Sequence, residues 1–261
     1  MRLLFLGDIV GRGARVALQQ RLREMRSRFD VDLVVANGEN ASSGKGIKPD
    51  AFEELLDAGV DVVTTGNHIW QHRQILDVLA RDSRLLRPAN FPVGSPGSGV
   101  TRRRARDGTE VVVVNLIGRV FLGNSDCPFL EVDRILEAEA NLGALIFVDM
   151  HAEATSEKVA MGWHLDGRVA AVAGTHTHIQ TSDERILPGG TGYITDVGMC
   201  GPIDSVIGMK TEQVLYRFRT QRPVHFEVAR GPLWLQGALF DLDPTGRRCR
   251  SVERVRIEVR P

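Results

Sequence analysis

An α/β protein, with two packed mixed β-sheets flanked by helices, is what the sequence predicts. The prediction rests on a strand, loop and helix unit that recurs at the start of the chain, a series of strand-like runs behind it, and no low-complexity linker between the two. The first unit is the apolar run from Arg2 to Gly7, followed by Ala14 to Phe29, where Val16, Leu18, Leu22, Met25 and Phe29 recur at roughly helical spacing. The second opens with the β-branched run Val31 to Ala36 and ends its strand in Asn37-Gly38-Glu39-Asn40. A glycine-rich loop then leads to a helix over Pro49 to Ala58, with proline in the first turn, where its missing N–H costs nothing. Val60 to Thr65 and Trp70 to Ala80 form the third, joined through Gly66-Asn67-His68. Strands repeatedly followed by helices lie parallel, because only a crossover returns the chain to start a neighbour in the same direction.

Farther along, Val111 to Leu116, Ala144 to Asp149 and Val169 to Gly174 read as strands, with a helix over Glu131 to Leu142. Past Thr181 the helical period fades. Gly192 to Asp196, Gln213 to Arg219, Val224 to Val228, Leu233 to Leu242 and Val252 to Val259 read as strands separated by turns, which predicts a largely antiparallel second sheet. The connection from Gly118 to Phe129, carrying Phe121, Leu122, Cys127 and Phe129, is apolar for a loop and is expected as a buried crossover. No repeat of fixed period appears, and residues 1–261 are expected to form one domain, large enough to bury a core without disulfide or metal staples.

Composition narrows the functional classes. Hydrophobic residues at 43% and charged residues at 25% are those of an ordinary globular chain, which excludes a disordered or fibrous protein. Lys plus Arg and Asp plus Glu number 33 each, so no net field recommends a long nucleic acid as partner, whereas a small anion needs only local charge. The runs Arg102-Arg103-Arg104 and Arg247-Arg248 lie in turn-like sequence and are expected as solvated loops. Cys127, Cys200 and Cys249 are odd in number and lack Cys-x-x-Cys spacing, which predicts free thiols and a cytoplasmic protein. No apolar run approaches the roughly 18 residues of a membrane span.

Chemistry concentrates where strands end. Gly7-Asp8, Asn37-Gly38-Glu39-Asn40, Gly66-Asn67-His68, Asp149-Met150-His151 and Gly174-Thr175-His176-Thr177-His178 all follow strand-like runs. Open α/β sheets bind ligands at these carboxyl ends. Singly, each has a structural explanation: Gly-Asp as a turn, Asn67 as a helix N-cap, His151 as a core histidine. His176 and His178 are sharper, because alternate residues of an extended segment point the same way. Together, Asp8, Glu39, Asn40, Asn67, His151, His176 and His178 make seven candidate metal ligands. That is enough for two ions, with Glu39 from a central tip as the bridge across the roughly 3.5–4 Å of a two-metal site. Imidazole with carboxylate suits iron, manganese, zinc or nickel. His72, His164 and His225 lie away from these tips and are read as ordinary histidines.

The order of Asp, acidic residue, Gly-Asn-His, His and His-x-His resembles the calcineurin-like metallophosphoesterase superfamily. The segments Gly7-Asp8-Ile9-Val10-Gly11, Asn37-Gly38-Glu39-Asn40-Ala41, Thr65-Gly66-Asn67-His68, Asp149-Met150-His151-Ala152-Glu153, Gly174 to Thr181 and Thr195 to Pro202 resemble its YmdB-like branch over essentially the whole chain. Two positions depart from the wider superfamily: Val10 stands where Asp-x-His has its imidazole, and Glu39 stands for the bridging Asp, with Asn40 filling the gap. The resemblance implies an α/β/β/α sandwich. It also implies Asp8, Asn40 and His178 on one ion, Asn67, His151 and His176 on the other, and Glu39 on both. The ions are expected to be divalent or mixed-valence transition metals, iron or manganese first and zinc as a further candidate. His68 is implied as general acid or hydrogen-bond donor beside the phosphate. The expected reaction is hydrolysis of a small phosphodiester, 2′,3′-cyclic nucleotides foremost, by a hydroxide held between the metals. A phosphomonoester substrate, a regulatory or scaffold role, and assembly with further copies of the chain are left open. A dinucleotide-binding loop at Gly7 to Val16 fits poorly, since the third glycine of the fingerprint is missing.

Overall fold

Most interior strands are buried on both faces, which is why they read as unbroken apolar runs and not as alternations. The computed structural model describes residues 1–139 and 143–260. Along the chain, β1 (Arg2–Leu6) and the short β2 (Asp8–Ile9) precede helix α1 (Gly11–Arg28); β3 (Leu33–Asn37), α2 (Pro49–Ala58), β4 (Val62–Thr64) and α3 (Ile75–Arg81) follow. Next come β5 (Val100–Arg104), β6 (Glu110–Ile117), α4 (Pro128–Glu139), β7 (Leu145–His151), α5 (Thr155–Leu165) and β8 (Ala171–Thr175). The chain closes with β9 (Arg185–Ile186), β10 (Gly192–Ile194), β11 (Met199–Pro202), α6 (Thr211–Thr220), β12 (Leu233–Asp243) and β13 (Arg248–Val259). Among the described residues, no helix is long and apolar enough to cross a membrane.

One sheet runs β2-β11-β12-β1-β3-β4 with β13 also on β12, and the other β5-β6-β7-β8-β10-β9. Three apolar layers hold them. Leu4, Leu6, Val34 and Ala36 point to α1 and α2, meeting Leu18, Leu22, Phe52 and Leu55. Their strand neighbours Leu3, Phe5, Leu33 and Val35 point the other way, onto Val111, Val113, Phe147 and Ala171 of the second sheet. Val112, Val114, Val148 and Met150 then face α4 and α5 through Val132 and Met161. Phe147 sits edge-on between Phe5 and Phe240, at centroid distances of 5.0 and 5.8 Å.

The opening units follow the sequence closely. Strand β1 pairs parallel with β3 and β3 with β4, and α2 keeps its predicted bounds, with Gly59 at φ 106° closing it in the left-handed conformation. Later expectations need correction. The closing strands do not build an antiparallel sheet of their own: β11, β12 and β13 complete the first sheet, and β10 joins β8 in parallel. The mainly parallel second sheet is β6-β7-β8-β10, with antiparallel strands β5 and β9 at its edges.

Gln213 to Arg219 is helix, not strand. Its β-forming residues mislead, because α6 buries only Val214 and is supported by Glu212 in its first turn and Arg217 and Arg219 in its last. Val224 to Val228 is irregular apart from one bridge between Met209 and Val228. The helix expected from Trp70 splits into a 3₁₀ turn (Ile69–Gln71) and α3, and that expected to Leu142 ends at Glu139 among the described residues, with residues 140–142 outside them. Helix α5 had no counterpart in the sequence reading. Arg102 to Arg104 lie on edge strand β5, where Arg102 pairs with Glu139 and Arg104 with Glu110, as suits an edge kept from pairing with other chains. The connection from Gly118 is not buried: Phe121 is 87% exposed and Val120 43%.

Candidate metal centre

All seven candidate ligands meet where the carboxyl ends of β1, β3, β4, β7 and β8 converge, at one edge of both sheets. Asp8, Glu39 and His151 are fully buried, and Asn40 and His178 nearly so. Gly66 allows the close approach of the two halves. A Cβ there would stand 2.1 Å from Cδ2 of His151, so the imidazole occupies the space any larger residue would need.

The first sheet supplies oxygens. Asp8 Oδ2 accepts the backbone N–H of His176 at 3.0 Å, and Glu39 Oε1 accepts that of His68 at 2.7 Å. The other oxygen of each, Asp8 Oδ1 and Glu39 Oε2, is buried without a hydrogen-bond partner. Orphaned carboxylate oxygens are costly in a folded interior, and a cation is their natural complement. Burial acts to raise the Asp8 carboxyl, but His178, His151 and the His176 backbone outweigh it and hold the group well below the usual carboxylate range. Glu39 lies in the opposite direction, raised by burial despite His68.

The second sheet supplies nitrogens. Nε2 of His151 lies 3.1 Å from Asn67 Oδ1, 3.1 Å from His176 Nδ1 and 3.7 Å from Glu39 Oε1. Nδ1 of His178 donates to the carbonyl of Ile207 at 2.9 Å, which leaves Nε2 facing Asp8 Oδ1 at 3.6 Å. Burial opposes a charge on His178, yet Asp8 raises it; His151 is depressed well below an ordinary histidine, by burial first and then by His176.

Two details differ from the sequence reading. His176 and His178 are not on an extended segment, since β8 ends at Thr175 and both histidines have positive φ, 94° and 65°. Strained turn geometry, not strand alternation, brings both imidazoles to the site. Asn67 is no N-cap: its oxygen is turned to His151, and the following 3₁₀ turn has no side-chain cap. Asn40 directs its oxygen to His68 Nδ1 (3.0 Å) and its nitrogen to His178 Nε2 (3.1 Å), so sharing an ion with His178 requires the amide to turn over.

Behind these donors lies a buried polar layer whose members carried no role in the sequence reading. Asp149 accepts from Thr64 at 2.6 Å, Thr175 at 2.8 Å and Asn37 at 3.1 Å; burial still pushes its carboxyl up to about 7. Because the Thr175 hydroxyl donates to Asp149, it accepts from His151 Nδ1 at 3.0 Å, which places the ring proton on Nδ1 and leaves Nε2 free to bind. Lys158 and Asp196 form a buried ion pair of 2.7 Å, and Asp196 also accepts from the Thr177 hydroxyl between the two histidines. No spacing motif announces these residues; a signal exists for Asp149, a carboxylate set between Val148 and Met150 in an apolar run.

Among the described residues, no three His, Cys, Asp or Glu side chains close into a ready-made metal cage. The donor set mixes those types with two amides, and its imidazoles and carboxylates hydrogen-bond to the amides and to one another. Two orphaned carboxylate oxygens among imidazole nitrogens and amide oxygens still fit borderline divalent cations in kind.

The chain is similar to several known proteins. The chain is 46% identical over 257 residues to a "2′,3′-cyclic-nucleotide 2′-phosphodiesterase" of Bacillus subtilis (strain 168), covering 98% of this chain and 97% of the relative. A hypothetical protein from Thermus thermophilus superposes with a TM-score of 0.93 at 41% identity, covering 100% of both chains. A structure described as a novel phosphatase of Mycoplasma pneumoniae gives 0.92 at 35% identity, covering 99% of this chain and 93% of its own. The model of the family described as YmdB-like protein matches residues 4–255, and the chain belongs to that family.

Proposed function

We propose that this chain, a phosphoric ester hydrolase, is a dinuclear-metal phosphodiesterase that opens 2′,3′-cyclic nucleotides at the 2′ oxygen to leave a 3′-phosphate. The observation that carries the reading is the meeting of Asp8 and Glu39, each with one buried and unpartnered carboxylate oxygen, with Nε2 of His178, 3.6 Å from Asp8 Oδ1, and Nε2 of His151, 3.7 Å from Glu39 Oε1. The substrate and bond are those in the name of the Bacillus subtilis relative. Asp8, Asn40 and His178 would hold one cation, Asn67, His151 and His176 the other, and Glu39 both. Iron or manganese suits this mixed donor set best, with zinc next. Such cations, when bound, neutralise the phosphoryl oxygens and acidify a water for attack.

The remaining chemistry belongs to the chain. His68 is partly exposed at the rim, with its backbone N–H and Nδ1 held by Glu39 and Asn40. With Nδ1 donating to the oxygens of Glu39 and Asn40, Nε2 of the protonated ring is the donor left for the departing O2′, which leaves poorly without a proton and returns the ring to neutral. Glu153 Oε2, 2.9 Å from Nε2 of His176, fixes that ring from outside. The three free cysteines suit a reducing compartment, and a cytoplasmic address is part of the reading.

Elemental analysis of the purified protein, followed by assay on adenosine 2′,3′-cyclic phosphate and on nucleoside monophosphates, tests the proposal. Two equivalents of transition metal and a 3′-phosphate product are expected. Metal without diester hydrolysis would favour the scaffold reading, and turnover of monoesters alone would favour a phosphomonoesterase.

A further inference from the structure

Next to the metal centre lies a cavity of about 330 Å³ whose inner wall is Asn67 and whose other walls include Trp70, Phe91, Leu122, Asn124 and Ser125. It falls at the small end of the range for ligand pockets. Trp70 follows two residues after His68 on the 3₁₀ turn, is 39% exposed, and packs on Phe91 with ring centroids 5.5 Å apart and planes tilted by 35°. A large exposed indole backed by a second ring is a stacking platform. Ser125 lines the same cavity, and its hydroxyl is enclosed without a hydrogen-bond partner.

The walls are built, not incidental. Asn90 is buried and joins both loops: its Nδ2 donates to the carbonyls of Ile117 (2.8 Å) and Asp126 (2.9 Å), and its Oδ1 accepts from the N–H of Ile117 at 2.9 Å. Its backbone carbonyl accepts from the N–H of Asp126 at 2.8 Å. One side chain thus fixes the loop carrying Phe91 against the loop carrying Leu122 and Ser125, leaving the slot between them. Walls that combine two apolar rings with a hydroxyl and an amide match a flat heterocycle that presents a π-face and a polar edge.

We infer that this slot is the nucleobase subsite, in which the base stacks on Trp70 and meets Ser125 and Asn124 along its edge. The inference rests on the reaction proposed above, since the base must belong to a substrate whose phosphate lies beyond Asn67. Stacking accepts any base, so recognition is of a nucleobase as such more than of one base.

The test compares kcat/KM for adenosine 2′,3′-cyclic phosphate with that for glycerol 1,2-cyclic phosphate, which lacks a base, in the wild type and in Trp70→Ala. The wild type should prefer the nucleotide, and Trp70→Ala should cut that preference about 5- to 150-fold, mainly through KM, the range set by base–aromatic stacking. Trp70→Phe should keep most of it, which separates loss of stacking from damage to the fold. An independent readout is quenching of Trp70 fluorescence by adenosine 3′-monophosphate in a chain carrying Trp163→Phe and Trp234→Phe. A nucleotide preference that survives Trp70→Ala, with no quenching, overturns the subsite while leaving the reaction intact. Quenching without hydrolysis of any diester sustains the subsite and overturns the reaction.

Discussion

The two sheets contribute to the site in different ways. Tips of the first sheet present carboxylates clamped by backbone: Asp8 by the N–H of His176 and Glu39 by the N–H of His68. Tips of the second present imidazoles aimed from their other ring nitrogen, His151 by the Thr175 hydroxyl on Asp149 and His178 by the carbonyl of Ile207, with Asp196 and Lys158 beneath the His176–His178 turn. A carboxylate needs only N–H groups nearby, which adjoining loops supply. An imidazole must also have its proton on the correct nitrogen, and that takes a partner of defined polarity on the other. The oxygen half therefore depends on how the chain is threaded, and the nitrogen half on a layer of buried polar residues beneath it.

Glu39→Gln should cause the largest loss. If Glu39 serves both ions, removing its charge weakens both, so metal content should fall at both sites and hydrolysis should cease. A variant that kept two metals and full turnover would show that the first sheet contributes no shared ligand.

Next is His68→Ala, which keeps the backbone N–H that clamps Glu39 and removes only the imidazole resting on Glu39 and Asn40. Both metals and the fold should persist while turnover on a 2′,3′-cyclic nucleotide drops by about 10² to 10⁴, the contribution of a positioned acid. Bis-nitrophenyl phosphate, whose leaving group needs little protonation, should suffer less. Loss of metal in this variant would move His68 from proton donor to structural support.

How legible these halves are in the sequence follows from the same contrast. Strand–helix units predicted the parallel β1-β3-β4 core, and the polar residues ending those strands and the later β7 and β8 marked the ligand candidates, because a tip is where an apolar run stops. His176 and His178 were found for the wrong reason, since positive φ at both sets their direction and nothing in their spacing encodes it. Asp149, Thr175, Lys158 and Asp196 stood in full view without a role. Their function depends on partners such as Thr177 for Asp196, 19 residues away, and Asn37 for Asp149, 112 residues away, and no local pattern carries that information. Helix α6 failed differently: Val214, Leu215 and Phe218 stand at helical spacing, but the stripe is short, only Val214 is buried, and the β-forming residues around it read as a strand.

Lys158→Met tests the lower layer of the nitrogen half. Both members of its ion pair with Asp196 are buried, so truncation leaves a lone carboxylate in the interior, and stability should fall by about 3–5 kcal/mol in denaturant unfolding. The combined change Lys158→Met with Asp196→Leu should recover part of that stability, because it removes the stranded charge. It should not recover metal affinity, since Asp196→Leu takes away the acceptor of the Thr177 hydroxyl. Recovery of both would mean that the pair contributes packing alone and does not aim the histidine turn.

The smallest effect, and the sharpest test of the contrast, belongs to Thr175→Val. Valine keeps the shape and β-branching of threonine at the end of β8, so strand pairing with β7 should survive. What disappears is one hydroxyl that gives its proton to Asp149 and receives one from His151 Nδ1. His151 then has no fixed proton position, and its Nε2 is no longer held ready to bind. Removing such a support usually costs 10- to 100-fold in metal affinity or activity, so affinity should fall by about that factor at the ion served by His151, with the other ion nearly unchanged. Competition against a coloured chelator during stepwise metal loading would resolve the two ions. Unequal weakening supports an imidazole aimed from below; equal weakening of both ions would mean that the whole edge of the sandwich had loosened, and the distinction between the two halves would be lost.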